Sequence, residues 1–238
     1  MAHVWLSFSL ILMQRFKNIY YLKTENYRLT CKISGYVELG EIQNMWNGVL
    51  IMDNLRYIQV INDDMLLECF NNGKLYELYD ACFSAPPYCE DFAIAEVCEK
   101  FKKYLVDGLL WLCFDGKKVV GFVAATPAVL SKKANAVVKK YLTDVAEYWY
   151  IDDIGSHPQY RKKGIATTLL RTLLDNVPVL RIILATHENN EDSKNLYLKF
   201  GFKLLVLSDG SPVIQKVLRS QKSGRIDYYN CIFMTYDK

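Results

Sequence analysis

The chain has 238 residues, 51% hydrophobic and 23% charged, with a formal net charge of +3. That apolar content with so little net charge excludes a chain disordered throughout, and a pI of 8.3 is too mild for a general nucleic-acid binder. At roughly 100–200 residues per domain, the length accommodates one large domain, or one domain with an extension.

The 7 cysteines are odd in number and irregular in spacing, and no CxxC pair occurs among them. A zinc ribbon or thioredoxin-type site is therefore not expected, nor any other metal site; reduced thiols in a cytoplasmic protein are. The 17 tyrosines predict large amphipathic contact surfaces.

An apolar run at residues 4–13 is too short to span a bilayer, which needs roughly 20 residues. No Lys or Arg precedes it, while Arg15 and Lys17 follow it, the wrong side for a secretion signal. A buried strand or helix is expected there, and no membrane association. Residues 27–33 alternate like a strand, and residues 36–42 would pair back across Ser34-Gly35. Residues 1–54 read as an N-terminal extension of undefined role, and residues 55–238 as the organised domain.

Within that domain a strand is expected over 56–61, followed by a turn at Asn62-Asp63-Asp64. Leu75, Leu78, Tyr79 and Cys82 stand at helical spacing, in a helix that must stop before Pro86-Pro87. A second helix over 91–106 would turn Ile94, Val97, Cys98, Phe101 and Leu105 to one face. Strands 109–114 and 118–125 form a hairpin around Asp115-Gly116. Residues 131–145 read as a loop or short helix. A strand over 148–154, a helix over 165–176 and a central apolar strand over 180–185 follow. The last elements are a helix over 192–200 ending at Gly201, and strands over 202–207 and 228–234. Residues 208–224 read as a polar insertion between those strands. This order predicts an α/β fold with a mixed sheet.

The chemistry concentrates at residues 150–168, YIDDIGSHPQYRKKGIATT. A strand runs through a short turn into a leucine-rich helix. The first turn of a helix carries unpaired N–H groups and the positive end of its dipole, a ready anion site. Gly164 admits close approach to the backbone, Ala166 stays small, and Arg161, Lys162 and Lys163 add positive charge. Neither GxxxxGK[ST] nor GxGxxG is present, so a P-loop nucleotidase and the usual dinucleotide fingerprint are excluded. One strand later come Asn190, Ser193, Tyr197, Gly201 and Phe202 at fixed offsets, with Ser193 and Tyr197 on one helix face.

These two stretches together resemble the GCN5-related N-acetyltransferase (GNAT) superfamily. Arg161, Gly164 and Ala166 match its [QR]-x-x-G-x-[GA] motif. Asn190, Ser193, Tyr197, Gly201 and Phe202 match N-x-x-[SA]-x-x-x-Y-x-x-x-G-F. The resemblance covers roughly residues 55–238. It implies a GNAT-like acyl-CoA N-acyltransferase fold, a mostly antiparallel sheet splayed between its two central parallel strands, here near 148–156 and 180–186. It implies acetyl-CoA as co-substrate and a primary amine as acceptor, joined by direct attack in a ternary complex. The pyrophosphate would lie on the backbone of Arg161, Lys162, Lys163, Gly164, Ile165, Ala166 and Thr167. Pantetheine would pair with the main chain of Ile154 and Ser156, with the Ile154 N–H polarising the thioester carbonyl. Asn190 and Ser193 would line the pantetheine side, and Tyr197 would be the general acid.

For the base, Asp152 leads, directly or through water. Strand alternation puts Asp152 on the face of Tyr150 and Ile154 and Asp153 on the opposite face, so the two would not form a carboxylate pair. Tyr150 and His187 are lesser candidates, His187 being expected as a solvated loop histidine and His157 as turn structure. Two readings of the acceptor stand side by side. Lys216, Arg219, Lys222 and Arg225 could draw an acidic substrate to the 208–225 loop; Glu68, Glu77, Asp80, Glu90 and Asp91 could form an acidic entrance for a cationic one. The alternative to an enzyme is a non-catalytic acyl-CoA-binding or regulatory module on the same fold. A homodimer is among the assemblies that residues 1–54 and the tyrosine-rich surface would allow.

Overall fold

A computed structural model describes residues 49–238 apart from residue 53, and two short upstream strands, Arg15–Phe16 (β1) and Ile19–Tyr20 (β2), that pair antiparallel. The run at 4–13 and the hairpin expected over 27–42 lie outside the described residues. The chain divides into two compact units, Met1–Asn47 and Gly48–Lys238, and the second holds the sheet.

That sheet contains β3 (Val49–Met52), β4 (Leu55–Gln59), β5 (Leu109–Asp115), β6 (Lys118–Pro127), β7 (Tyr148–Ser156), β8 (Arg181–His187), β9 (Lys203–Leu204), β10 (Ile214–Ser220) and β11 (Ile226–Asp237). Its order is β10-β11-β8-β7-β6-β5-β4-β3, with β9 also on β11, and every pairing is antiparallel except β7 with β8. The sheet starts at Val49, ahead of the boundary at 55 expected from the sequence.

Six helices cover the sheet among the described residues: α1 (Asp63–Asn71), α2 (Leu75–Phe83), α3 (Ile94–Asp107), α4 (Lys132–Tyr141), α5 (Ile165–Asn176) and α6 (Glu191–Lys199). α1 replaces the turn expected at 62–64. Asn62 is its N-cap, accepting the Met65 N–H at 2.9 Å, and Asp63 and Asp64 sit favourably in the first turn. Ser131 likewise caps α4, so residues 132–141 are helix and not loop. In α3 the buried stripe is Val97, Phe101 and Tyr104; Ile94, expected inward, is 60% exposed. The polar insertion expected over 208–224 contains β10, an edge strand that pairs with β11 from Ile214 to Ser220.

The core lies on both faces. On one, Ile165, Leu169, Leu170 and Leu173 of α5 meet Val123, Ala125, Ile151 and Leu184. On the other, α1–α3 bury Leu78, Tyr79, Val97 and Phe101 against Leu112, Phe122 and Ala124. Beside it, α4 covers Tyr148, Tyr150, Ile183 and Phe233. Helix α5 sits close to the sheet because β6 carries Gly121, where a Cβ would lie 2.5 Å from Ile165 Cγ2.

Among the described residues no helix is long and apolar enough to cross a membrane. No group of three or more His, Cys, Asp or Glu among them is placed to hold a metal ion. Six described cysteines are free thiols; Cys31 lies outside the described residues.

Gly121→Ala should lower stability by about 1–3 kcal/mol, the usual cost of forcing volume into a close-packed core. Denaturant titration should show a lower midpoint at an unchanged slope. An unchanged midpoint would show that α5 can retreat without cost.

Candidate active site

Strands β7 and β8 pair in parallel only from Tyr148↔Arg181 to Ile151↔Leu184. Beyond Ile151, β7 continues to Ser156 on β6, while β8 continues to His187 on β11. The two therefore part, and an opening forms between 152–156 and 185–187. The β6–β7 register fixes what faces it. His157 N–H donates to the Val120 carbonyl, so 120/157, 122/155 and 124/153 are the hydrogen-bonded pairs. Ile154 and Ser156 occupy the intervening positions, and their N–H groups point away from β6, into the opening.

Below the opening, residues 158–167 turn into α5. Gly164 has φ 79° and Lys162 φ 63°, both left-handed. For Lys162 that conformation costs about 1 kcal/mol, strain of the kind that gathers at ligand sites. A Cβ on Gly164 would meet nothing within 4 Å, so the glycine serves the backbone bend and leaves an open approach. The first N–H groups of α5 have no carbonyl within the helix. Arg161, Lys162 and Lys199 line this end of the cavity and lack ion-pair partners among the described residues, so it is cationic, while the Lys163 ammonium beside it stands over the Tyr160 ring at 4.6 Å.

A cavity of about 720 Å³ connects this cradle, through the opening, to a chamber lined by Asp152 and Asp153. The expected alternation fails at these two carboxylates. The β6–β7 register shifts between Ala124 and Ala125, so that Asp153 faces Ala124 and Ile151 faces Ala125, with Asp152 the extra residue of a bulge. Ile151 and Ile154 both pack on the α5 side. Asp152 and Asp153 both lie on the other face, correcting the opposite-face expectation. Asp153 accepts from Tyr104 at 2.5 Å and pairs with Lys100 at 2.8 Å. Lys100 also donates to Tyr79 at 2.7 Å. Burial opposes the Lys100 charge, but Asp153 and Tyr79 outweigh it and hold its pKa above the ordinary value. Asp152 accepts from Thr126 at 2.6 Å and forms no ion pair among the described residues, Lys100 and Lys103 acting on it only through space. Burial raises its pKa to about 7, with Asp153 adding to the effect and the Thr126 hydroxyl opposing it.

Tyr197, on α6, is buried and lines the same cavity. Burial, then Tyr88 and Asp153, push its pKa well up, so the phenol keeps its proton. Asn190 and Ser193 also line the cavity, but the Asn190 side chain is committed elsewhere. Its carbonyl oxygen caps α6 on the Ser193 N–H at 3.1 Å, and its amide donates to the Tyr88 hydroxyl at 3.3 Å. His187 is buried at the end of β8, stacked on Tyr229 at 4.9 Å, and not a loop residue. Burial, then Arg219, lower its pKa. His157 accepts the Gln159 N–H, as turn structure does.

The chamber is roofed by residues 84–93 and the β10–β11 hairpin. Arg219 donates to the carbonyls of Pro87 and Tyr88 while Asp227 holds it at 2.5 Å. Asp91 N–H donates to the Ser220 carbonyl at 2.8 Å, and Tyr229 donates to Glu90 at 2.6 Å. Lys222 pairs with Asp80 at 2.8 Å. Of the basic residues of the expected loop, Arg219 is thus spent on binding the roof, Lys222 on Asp80 of α2 and Arg225 on Asp227 of its own hairpin. Of the five acidic residues considered for an entrance, Glu90 lines the cavity.

Sequence reasoning missed Tyr88, Lys100, Tyr104, Thr126, Lys133 and Tyr229. A signal existed for Lys100: it interrupts the inward i, i+3, i+4, i+7 set formed with Val97, Phe101 and Tyr104.

Solved structures share this fold. Arabidopsis thaliana NAA60 in complex with acetyl-CoA is 16% identical, at a TM-score of 0.52 over 77% of this chain and 98% of that one. The same protein in complex with a bisubstrate analogue gives 17%, 0.51, 76% and 97%. An N-acetyltransferase from Staphylococcus aureus Mu50 gives 16%, 0.50, 76% and 98%. No curated protein sequence matches the chain. Residues 73–202, more than half the chain, match the model of the acetyltransferase (GNAT) family, and the chain belongs to that family.

Proposed function

We propose that this protein moves an acetyl group from acetyl-CoA to a primary amine by direct attack in a ternary complex. One observation carries the reading: a cationic helix-start cradle, two strand N–H groups facing an opening, and a carboxylate-lined chamber share one cavity. The fold's Arabidopsis representatives, solved with acetyl-CoA and with a bisubstrate analogue, support it.

In this reading the pyrophosphate sits on the backbone from Arg161 to Thr167, with Arg161, Lys162 and Lys163 as counter-charges. Pantetheine extends the sheet along β7, paired with Ile154 and Ser156. The acceptor nitrogen attacks the thioester carbon. The new C–N bond forms as the carbonyl oxygen gains charge beside the Ile154 N–H. Asp152, directly or through water, takes the amine proton. The C–S bond then breaks, and the leaving thiolate receives the Tyr197 phenolic proton. A base with its pKa near 7 suits this work, being about half ionised at neutral pH without being spent on a lysine ion pair. Asp153 is held beside it by Lys100 and Tyr104.

Acetyl-CoA should raise the protein's thermal midpoint, and amines should then release free CoA. Binding without release from any amine would favour the non-catalytic acyl-CoA module; an unmoved midpoint would remove both readings.

Asp152→Asn should cut kcat/KM by roughly 10²–10⁴-fold and abolish the limb that rises with pH through about 7. Tyr197→Phe should lower kcat by a similar factor and keep that limb. A pH profile unchanged in the Asn variant would exclude Asp152 as base.

The same shift predicts a stability effect of known sign. The folded pKa of Asp152 is about 7 against 3.8 for an ordinary aspartate, so folding favours the neutral form. Its contribution is intact below about pH 3.8 and is lost as pH rises through 7. Asp152→Asn should therefore gain stability relative to the parent between pH 4 and pH 8, by on the order of 4 kcal/mol. Denaturant titrations at the two pH values measure this; an equal difference at both would contradict the buried, neutral-preferring carboxyl.

A further inference from the structure

We propose that the acceptor is a small zwitterionic amine, a free amino acid, whose carboxylate is received by Lys133 on the chamber wall. The proposal rests on the acetyl-transfer reading and names its substrate class.

The observation is a mismatch of charges within the chamber. Three carboxylates line it, Glu90, Asp152 and Asp153, and two ammonium groups, Lys100 and Lys133. Asp153 and Lys100 neutralise each other at 2.8 Å. Glu90 has a phenol as partner, Tyr229 at 2.6 Å, and Asp152 a hydroxyl, Thr126 at 2.6 Å. Lys133 reaches the Cys231 thiol at 3.7 Å, a weak acceptor. Among the described residues, none of Glu90, Asp152 and Lys133 has an ion-pair partner. Lys133 acts on Glu90 only through space, without direct contact, so two carboxylates and one ammonium lack a contacting counter-ion in a half-enclosed space, where that is costly. An amine alone would meet the carboxylates and leave Lys133 without an oxygen ligand of its own. A ligand carrying both an ammonium and a carboxylate answers both signs.

The roof limits size. Residues 84–93 and the β10–β11 hairpin are joined across the chamber by Arg219 to Pro87 and Tyr88, by Asp91 to Ser220 and by Tyr229 to Glu90. A chain threading between them would have to break the Asp91–Ser220 main-chain bond or the Arg219 and Tyr229 side-chain bonds, whereas a single amino acid need not. Aromatic walls from Phe83, Tyr88 and Tyr229 supply apolar contact for its side chain.

The test compares the twenty common amino acids with their amides and decarboxylated amines, each with acetyl-CoA, scoring CoA release as kcat/KM. At least one amino acid should exceed its own amide by tenfold or more. Lys133→Met should reduce that amino-acid-to-amide ratio at least tenfold, and Lys133→Arg should restore most of it. A second measurement needs no turnover: the preferred amino acid should raise the thermal midpoint of the CoA-loaded parent, but not of the Lys133→Met variant. Equal use of acid and amide, or a ratio that ignores Lys133, overturns the proposal. So does acetylation of peptide N-termini in preference to free amino acids, which would leave acetyl transfer standing. Amino-acid binding that depends on Lys133 without any CoA release would do the reverse: the subsite holds and the transfer reading falls.

Discussion

The molecule is organised around a pairing that stops early. A parallel strand pair normally consumes the backbone groups of both strands along its whole length. Here β7 and β8 share four residue pairs and then each follows a different neighbour. Buried N–H groups without partners are expensive, so the segment 152–156 would be a defect in an ordinary sheet. It becomes a site because something else can complete it. The Ile154 and Ser156 N–H groups face the opening, and α5 starts at its foot with more unpaired donors and a cluster of cations. The close seat of α5 on Gly121 holds that foot against the sheet. Fold and cavity are therefore one construction: strands that part above, a helix that begins below, and a gap between.

Charge placement follows from the same break. The bulge that accompanies the parting strands turns Asp152 and Asp153 to one face, where a regular strand would have separated them. Two adjacent carboxylates on one face repel, and they are told apart by their partners. Asp153 receives Lys100 and Tyr104. Asp152 receives only a threonine hydroxyl, and burial lifts its pKa to about 7. That division of labour is a familiar route to a base that works at neutral pH. The chamber beyond it is roofed by two segments that Arg219 ties together.

Much of this was legible in the residues. Arg161, Gly164 and Ala166, with Asn190, Ser193 and Tyr197, mark helix starts at fixed distances from strand ends, and such local chemistry survives in a linear sequence. Helix α5 is bounded by the same residues the leucine spacing suggests. Three features were hidden for identifiable reasons. A bulge cannot be read from a period of two, so the shared face of Asp152 and Asp153 was invisible. Strand β10 exposes one face and half-buries the other, so Ile214–Ser220 carries too weak an alternation to stand out from a polar loop. The partners of Arg219 and Lys100 are distant in sequence, and only folding shows that their charges are spent within the protein. The Asn62 cap of α1 was a different case: Asn-Asp-Asp serves a turn and a helix start equally well, and the following residues decide.

The most direct measurement is a crystal structure of the protein with acetyl-CoA. The pyrophosphate should lie on the first turn of α5 between Arg161 and Thr167. Pantetheine should pair along Ile154–Ser156, with the thioester oxygen on the Ile154 N–H and the sulfur facing Tyr197. A ligand bound outside the gap, or strands β7 and β8 closed on each other beyond Ile151 and Leu184, would contradict that placement.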